Sequence, residues 1–193
     1  MRDTLFLSGS STILRREIVE QSGGYVFDPD MFAYGEDMDL GLRIRGLGYR
    51  TVVATRATVY HFHTLHDDIS LKSVLRVVRI VRNRLLAFWK SSTWPEFGVL
   101  GAVTLVGSPL NSGQFGLPLT KRIVYGLLLV PPTLLALVAA FAAMPQYAAR
   151  RRAILSQRRR EPWWLVRTLL FDRRSLSKRR RPVESREETH ARA

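Results

Sequence analysis

Short apolar runs broken by Gly and Asp fill residues 1 to about 70, the pattern of a mixed α/β segment. The stretch "TLFLSGSSTILRREIVEQSGGY" predicts a strand through Phe6, a small-residue turn at Ser8 to Ser11 and a helix from about Arg15 to Gln21. Gly23 and Gly24 supply the permissive backbone that ends such a helix. A second helix is predicted to begin at Glu36 or Asp37, to carry Leu40, Ile44 and Leu47 inward, and to stop at Gly46 or Gly48. "YRTVVA" and "ATVYHFH" then read as strands rich in β-branched and aromatic residues. The acids Glu36, Asp37 and Asp39 therefore fall at a helix start, and His61 near the end of a strand.

Beyond residue 70 the period lengthens. Residues 70 to 90 alternate apolar positions with Lys72, Arg76, Arg79 and Arg82 at spacings of three or four, which predicts a basic amphipathic helix. That helix fits a solvated face over a core, or a membrane surface with Phe88 and Trp89 as interfacial aromatics. Residues 123 to 144 run 22 positions without a charge, enough to cross a hydrocarbon layer of about 30 Å. The Pro131-Pro132 pair inside this run predicts a kink or two half-helices, and the apolar stretch at 97 to 110 is placed to pair with it. A buried helix of a soluble protein is the competing reading. Lys121-Arg122 on one side and Arg150 to Arg152 on the other favour membrane edges, and two basic ends favour a hairpin or re-entrant element. The rest is an amphipathic piece around Trp163-Trp164 and a polar end. Four segments result: 1–70 as an α/β part, 71–95 as a basic helix, 96–147 as an apolar membrane-associated part and 148–193 as a basic tail.

Charge changes the picture mainly at that tail. The net charge is +14, and residues 150–193 hold 15 of the 30 Lys/Arg but only 5 of the 16 acids. Such a tail favours polyanions. Its arginines flank apolar stretches and tryptophans and match no nucleic-acid motif, so an anionic membrane surface is the expected partner and nucleic acid is not. The absence of cysteine excludes disulfides and thiolate metal sites.

Spacing alone gives the acids ordinary roles. Asp37 reads as a helix cap, and Asp39 with Arg43, four apart, as a surface ion pair. Residues 7 to 63 nonetheless hold a longer ordered pattern: a Gly-Ser turn at Gly9-Ser10, a helix opening on Arg15-Arg16, Gly-Gly-Tyr at 23–25, "FAYGED" at 32–37, Asp39-Leu40 followed by Arg43, Gly48-Tyr49, and His61. This segment resembles the acceptor-side half of an inverting family 2 glycosyltransferase of the GT-A fold, of the rhamnosyl- and galactofuranosyltransferase-like kind. Arg82-Asn83 and the later apolar and basic segments are similar to its membrane-associated members.

The resemblance implies a partial GT-A fold within an α/β class, followed by amphipathic and membrane-embedded helices. It implies that Asp37 is the general base, that Glu36 orients the acceptor or Asp37, that Gly9 and Ser10 bind the acceptor, and that Asp39 and Arg43 are structural. His61 would help to hold a divalent metal, Mg or Mn, that offsets the charge of the departing nucleotide diphosphate. Asp28-Pro29-Asp30 spells the family's metal motif, but it follows Gly-Gly-Tyr in a loop instead of ending an apolar strand, so it is not assigned that role. The expected substrates are a nucleotide-sugar and a glycan or lipid-linked acceptor at the cytoplasmic face of the membrane. Because the pattern begins at the acceptor side, the chain is expected to act as a fragment or split part, with the donor-binding half upstream or on a partner chain. The rival expectation is a noncatalytic membrane-anchored protein that retains the half-fold.

Overall fold

The computed structural model describes residues 2–31, 33–61, 71–110 and 119–171. Its elements are β1 (Arg2–Asp3), α1 (Arg16–Gln21), α2 (Glu36–Gly46), β2 (Val52–Val53), α3 (Leu71–Ser91), α4 (Trp94–Leu110), α5 (Leu119–Ser156) and α6 (Trp164–Leu170). The architecture is mostly helical. β1 and β2 pair antiparallel, Arg2 with Val53 and Asp3 with Val52, and no other ladder joins the described residues.

The strand through Phe6 and the strand over 57–63 are thus corrected. The former shrinks to two residues, and residues 57–61 carry no ladder, while 62–63 lie outside the described residues. β-rich sequence forms a strand only where a partner takes up its backbone groups.

α3 is the central element, packed against α2, α4 and α5, with α6 against α4. One core joins them: Met38 and Leu42 of α2, Val81, Leu85, Leu86, Phe88 and Trp89 of α3, Phe97 and Leu100 of α4, Ala136, Ala140, Met144 and Tyr147 of α5, and Leu165 and Val166 of α6. Phe88 and Trp89 are therefore core residues and not interfacial aromatics, because the second half of α3 is covered by its neighbours. The expected boundary between 147 and 148 falls inside α5.

α5 runs unbroken through Pro131, Pro132 and Pro145, where a kink or a pair of half-helices was expected. Each proline removes one backbone bond, but Thr133, Ala136, Ala140, Met144 and Tyr147 form a single buried row, and small side chains in that row let α5 lie close along α3. The other faces remain apolar and exposed at Ile123, Leu127, Leu128, Leu134, Val138 and Phe141. Ile123–Ser156 is the one helix among the described residues long and apolar enough to cross a membrane.

α2 is buried on nearly all sides, which requires Gly41 where it crosses the N-terminal segment. A Cβ there would stand 2.8 Å from the Leu5 carbonyl oxygen and 3.2 Å from Phe6 Cα. Alanine would gain about 1 kcal/mol of helix propensity over glycine, but the contact is with backbone, and overpacking costs about 1–3 kcal/mol. Gly41→Ala is expected to lower the chemical denaturation midpoint, whereas Gly46→Ala, with nothing within 4 Å of its added methyl, is expected to leave it unchanged or raise it. Equal midpoints for the two variants would refute the close crossing.

The turn between α3 and α4 is sealed by Glu96. Its carboxylate accepts from the Thr93 backbone N–H (2.7 Å) and hydroxyl (2.9 Å), a capping box for α4, and also from Arg158 (2.9 Å to each oxygen) and the Trp163 N–H (2.6 Å). Burial alone would raise its pKa, but the Arg158 and Thr93 hydrogen bonds outweigh it and hold the group below the ordinary glutamate value. The depressed folded-state pKa means that this stabilisation is present above the unfolded value near 4.5 and is lost as pH falls through the folded one. Glu96→Gln should therefore flatten the acid limb of a stability-versus-pH curve. An unchanged acid limb would sink this assignment.

Candidate functional site

The loop before α2 is built in an uncommon conformation. Ala33, Tyr34 and Gly35 have φ of 49°, 70° and 93°, three successive residues in the left-handed region. For Ala33 and Tyr34 this costs of order 1–3 kcal/mol each, and such strain persists only where the surroundings impose it. Asn83, fully buried on α3, imposes it here: its Nδ2 donates to the Ala33 carbonyl (3.1 Å) and the Tyr34 carbonyl (2.7 Å). Gly35 sits against the same residue, where a Cβ would approach Asn83 Cβ to 3.1 Å.

The turn delivers Glu36 and Asp37 into the first turn of α2. Gly35, not Asp37, occupies the N-cap, and no side chain caps the helix. Asp37 Oδ1 accepts the Met38 N–H at 2.7 Å, which fixes the carboxylate, and Asp37 lines the cleft. Glu36 Oε2 is buried without a hydrogen-bond partner among the described residues. Gly9 lies against both acids, since a Cβ there would meet Asp37 Cβ at 3.7 Å and Glu36 Oε1 at 3.8 Å. Ser10 follows in the exposed Gly-Ser turn, its hydroxyl 2.8 Å from that of Ser8. Gly9, Glu36 and Asp37 are thus brought together.

Both acids face a cleft of about 830 Å³. Ile80, Arg84 and Phe88 of α3 form one wall, Leu100, Val103, Thr104 and Gly107 of α4 another, and Leu169 and Leu170 of α6 a third. Phe6 and Tyr34 complete it near the acids. Arg84 was not singled out by the sequence reading. The signal was present, as Ile80, Arg84 and Phe88 are spaced by four on a single helix face and the middle residue is charged.

Asp39 and Arg43 are not the surface pair that their spacing predicts. Both are buried, with Arg43 Nε 3.0 Å from Asp39 Oδ2. The Arg43 guanidinium donates to the carbonyls of Ser22 (2.7 Å), Tyr25 (3.0 Å) and Val26 (2.6 Å), so it holds the loop after α1. It also lies over the Tyr25 ring, and burial pushes the Tyr25 hydroxyl up to about 12. Lys90 lies on the other side of Asp39, its Nζ 2.8 Å from Asp39 Oδ1, while it donates to Asp28 Oδ2 at 2.6 Å. Arg150 of α5 reaches Asp28 (2.7 Å) and Asp30 (2.5 Å).

Three carboxylates and three cations therefore form one linked cluster. Asp28 and Asp30, the acids of the Asp-Pro-Asp sequence, spend their oxygens on Lys90 and Arg150. Arg150 is thus an internal clasp and not a lipid-facing flank. Arg151 likewise donates to the backbone at Trp89 and Ser92. His61 is exposed, and among the described residues no three His, Asp or Glu side chains group as a metal site. His63 and His66 lie outside those residues, as does the tail from 172 onward.

A strained turn held by Asn83 thus sets Glu36 and Asp37 at the edge of the cleft, and a separate charge cluster ties α2, α3 and α5 to the loop at 22–30. The profile of glycosyl transferase family group 2 matches residues 1–150, and the chain belongs to that family. Membership implies a nucleotide-sugar donor and an acceptor. No curated protein and no solved structure matches the chain.

Proposed function

We propose that this chain forms the acceptor side of an inverting, membrane-associated glycosyltransferase of the GT-A type, with Asp37 as its general base. The observation that carries this reading is the placement of Asp37, fixed by the Met38 N–H and facing the cleft beside Gly9 and Glu36. In the reaction the acceptor hydroxyl gives its proton to the Asp37 carboxylate while its oxygen bonds to the anomeric carbon of the sugar. The bond from that carbon to the nucleotide diphosphate breaks, and its electron pair leaves with the diphosphate. Glu36 orients the acceptor or Asp37, and Gly9 and Ser10 leave room for the acceptor beside the acids. The acceptor is a glycan or a lipid-linked molecule at the cytoplasmic face of a membrane, which the exposed apolar faces of α5 support. A divalent cation, Mg or Mn, with His61 as a ligand belongs to the proposal on the resemblance alone, since the described residues do not assemble a set that fits it.

The test is sugar transfer in membranes whose activity depends on this chain. Asp37→Asn should slow transfer severely and leave nucleotide binding intact, because the base acts only on the acceptor. Transfer at an undiminished rate would exclude Asp37 from the chemistry.

A further inference from the structure

Arg82 and Asn83, neighbours on α3, have no part in the chemistry so far, and neither lines the cleft. Asn83 is fully withdrawn from solvent, where an amide is costly unless its polar atoms are paired. Its Nδ2 serves the Ala33 and Tyr34 carbonyls, and its Oδ1 accepts from Arg82 Nη1 at 2.7 Å. Those partners allow the amide one orientation. Reversed, its oxygen would face two carbonyl oxygens and its N–H groups a guanidinium. Arg82 also interacts with the Tyr147 hydroxyl of α5, which donates to the Asp30 carbonyl at 2.7 Å. Ala33 and Tyr34 are exposed, so burial of their side chains does not offset the strain of their left-handed backbone. Released from the amide, both would gain by relaxing to negative φ, and that rotation would carry the start of α2 with it.

We propose that Arg82 and Asn83 are positioning residues for the transfer. Arg82 orients the Asn83 amide, and the amide locks the turn at 33–35 so that Asp37 meets the acceptor hydroxyl within reach of its proton. This rests on the reading of Asp37 as the base and adds the residues that aim it. A misplacement of about 1 Å at a reacting group costs about 10²-fold in rate. Because neither residue reaches into the cleft, the effect falls on kcat and not on KM.

The experiment measures kcat and donor KM in membranes carrying the full chain, with radiolabelled UDP- and dTDP-sugars as donors and the chain quantified by blotting. Asn83→Ala should lower kcat about tenfold to a hundredfold and leave KM in place. Val81→Ala, a core truncation two positions earlier, should lower the denaturation midpoint and keep the wild-type kcat. Glycine pays no penalty for the φ of 49° at position 33, so Ala33→Gly added to Asn83→Ala should restore kcat about fivefold. In an Asp37→Asn background Asn83→Ala should cost less than about threefold more, because an absent base cannot be misaimed. Wild-type kcat in a folded Asn83→Ala overturns the proposal, as do a rise in KM at constant kcat, a kcat loss that Val81→Ala reproduces, and losses that multiply in the double variant. If Asn83→Ala fails to fold, Arg82→Met decides, since Arg82 lies outside the core; unchanged kcat there overturns the proposal. If no donor gives transfer, amide hydrogen exchange of the detergent-solubilised chain decides. Asn83→Ala should then speed exchange at 33–38 and not at 40–46, and equal rates overturn the proposal. An undiminished rate in Asp37→Asn removes the base reading itself, whereas a slowed Asp37→Asn beside an unslowed Asn83→Ala removes this proposal alone.

Discussion

Lys90→Met is expected to lower the unfolding free energy of the detergent-solubilised chain by about 3–5 kcal/mol, the usual cost of removing one partner from a buried ion pair. The side chains of Lys90, Asp28 and Asp39 are all fully withdrawn from solvent, so water cannot take over the lost charge. Methionine preserves most of the volume, which confines the effect to electrostatics. Asp39 would keep Arg43 and Asp28 would keep Arg150, yet both carboxylates would lose their shared cation. Urea denaturation followed by circular dichroism measures the change. The double variant Lys90→Met/Asp28→Asn should recover part of the loss, because it removes one of the two stranded charges. A shift below about 1 kcal/mol in the single variant would mean that Asp28 and Asp39 are not held on Lys90 as the structure places them.

Asp37→Asn is expected to slow transfer by about 10²- to 10⁴-fold, the range of a positioned proton acceptor. The amide oxygen can still accept the Met38 N–H, so the turn and α2 should survive and the denaturation midpoint should move little. On the proposed roles Glu36→Gln should cost less, since that residue would orient and Asp37 would receive the proton. The contrast requires both rates at saturating acceptor. A larger loss in Glu36→Gln than in Asp37→Asn would exchange the roles of the two acids. Comparable losses in both, together with lowered midpoints, would make the pair a structural feature of the turn.

The helices were legible because their signals are local. Gly23 and Gly24, with φ of 114° and 79°, follow α1, and Leu40, Ile44 and Leu47 turn inward as their spacing predicts. The capping box at Thr93 and Glu96 was equally readable from a Thr-x-x-Glu spacing, although it was not singled out. What could not be read is what distant chain decides. Lys90 meets Asp28 across 62 positions and Arg150 meets it across 122, and no periodicity encodes such meetings. The left-handed turn before Glu36 depends on Asn83, some 50 positions later, so its two non-glycine members could not be anticipated. The α/β expectation was too strong for the same reason: strand-forming residues at 57–61 find no partner in the described chain. At the site, motif order led to the acids and the Gly-Ser turn, whereas Arg84 emerged only when three helices closed around it.

α5 joins an exposed apolar surface to the charge cluster in one continuous helix. Its outward apolar residues extend to Phe141, and nine residues later Arg150 grips the loop that leads into the acid pair. At 1.5 Å per residue that interval is about 14 Å. Seated in a bilayer, such a rod would act as a depth gauge, setting Glu36 and Asp37 at a fixed standoff from the hydrocarbon. Acceptors would then be sorted first by reach, because a hydroxyl carried too close to its anchor, or too far from it, could not arrive at Asp37 however well its chemistry suited the site.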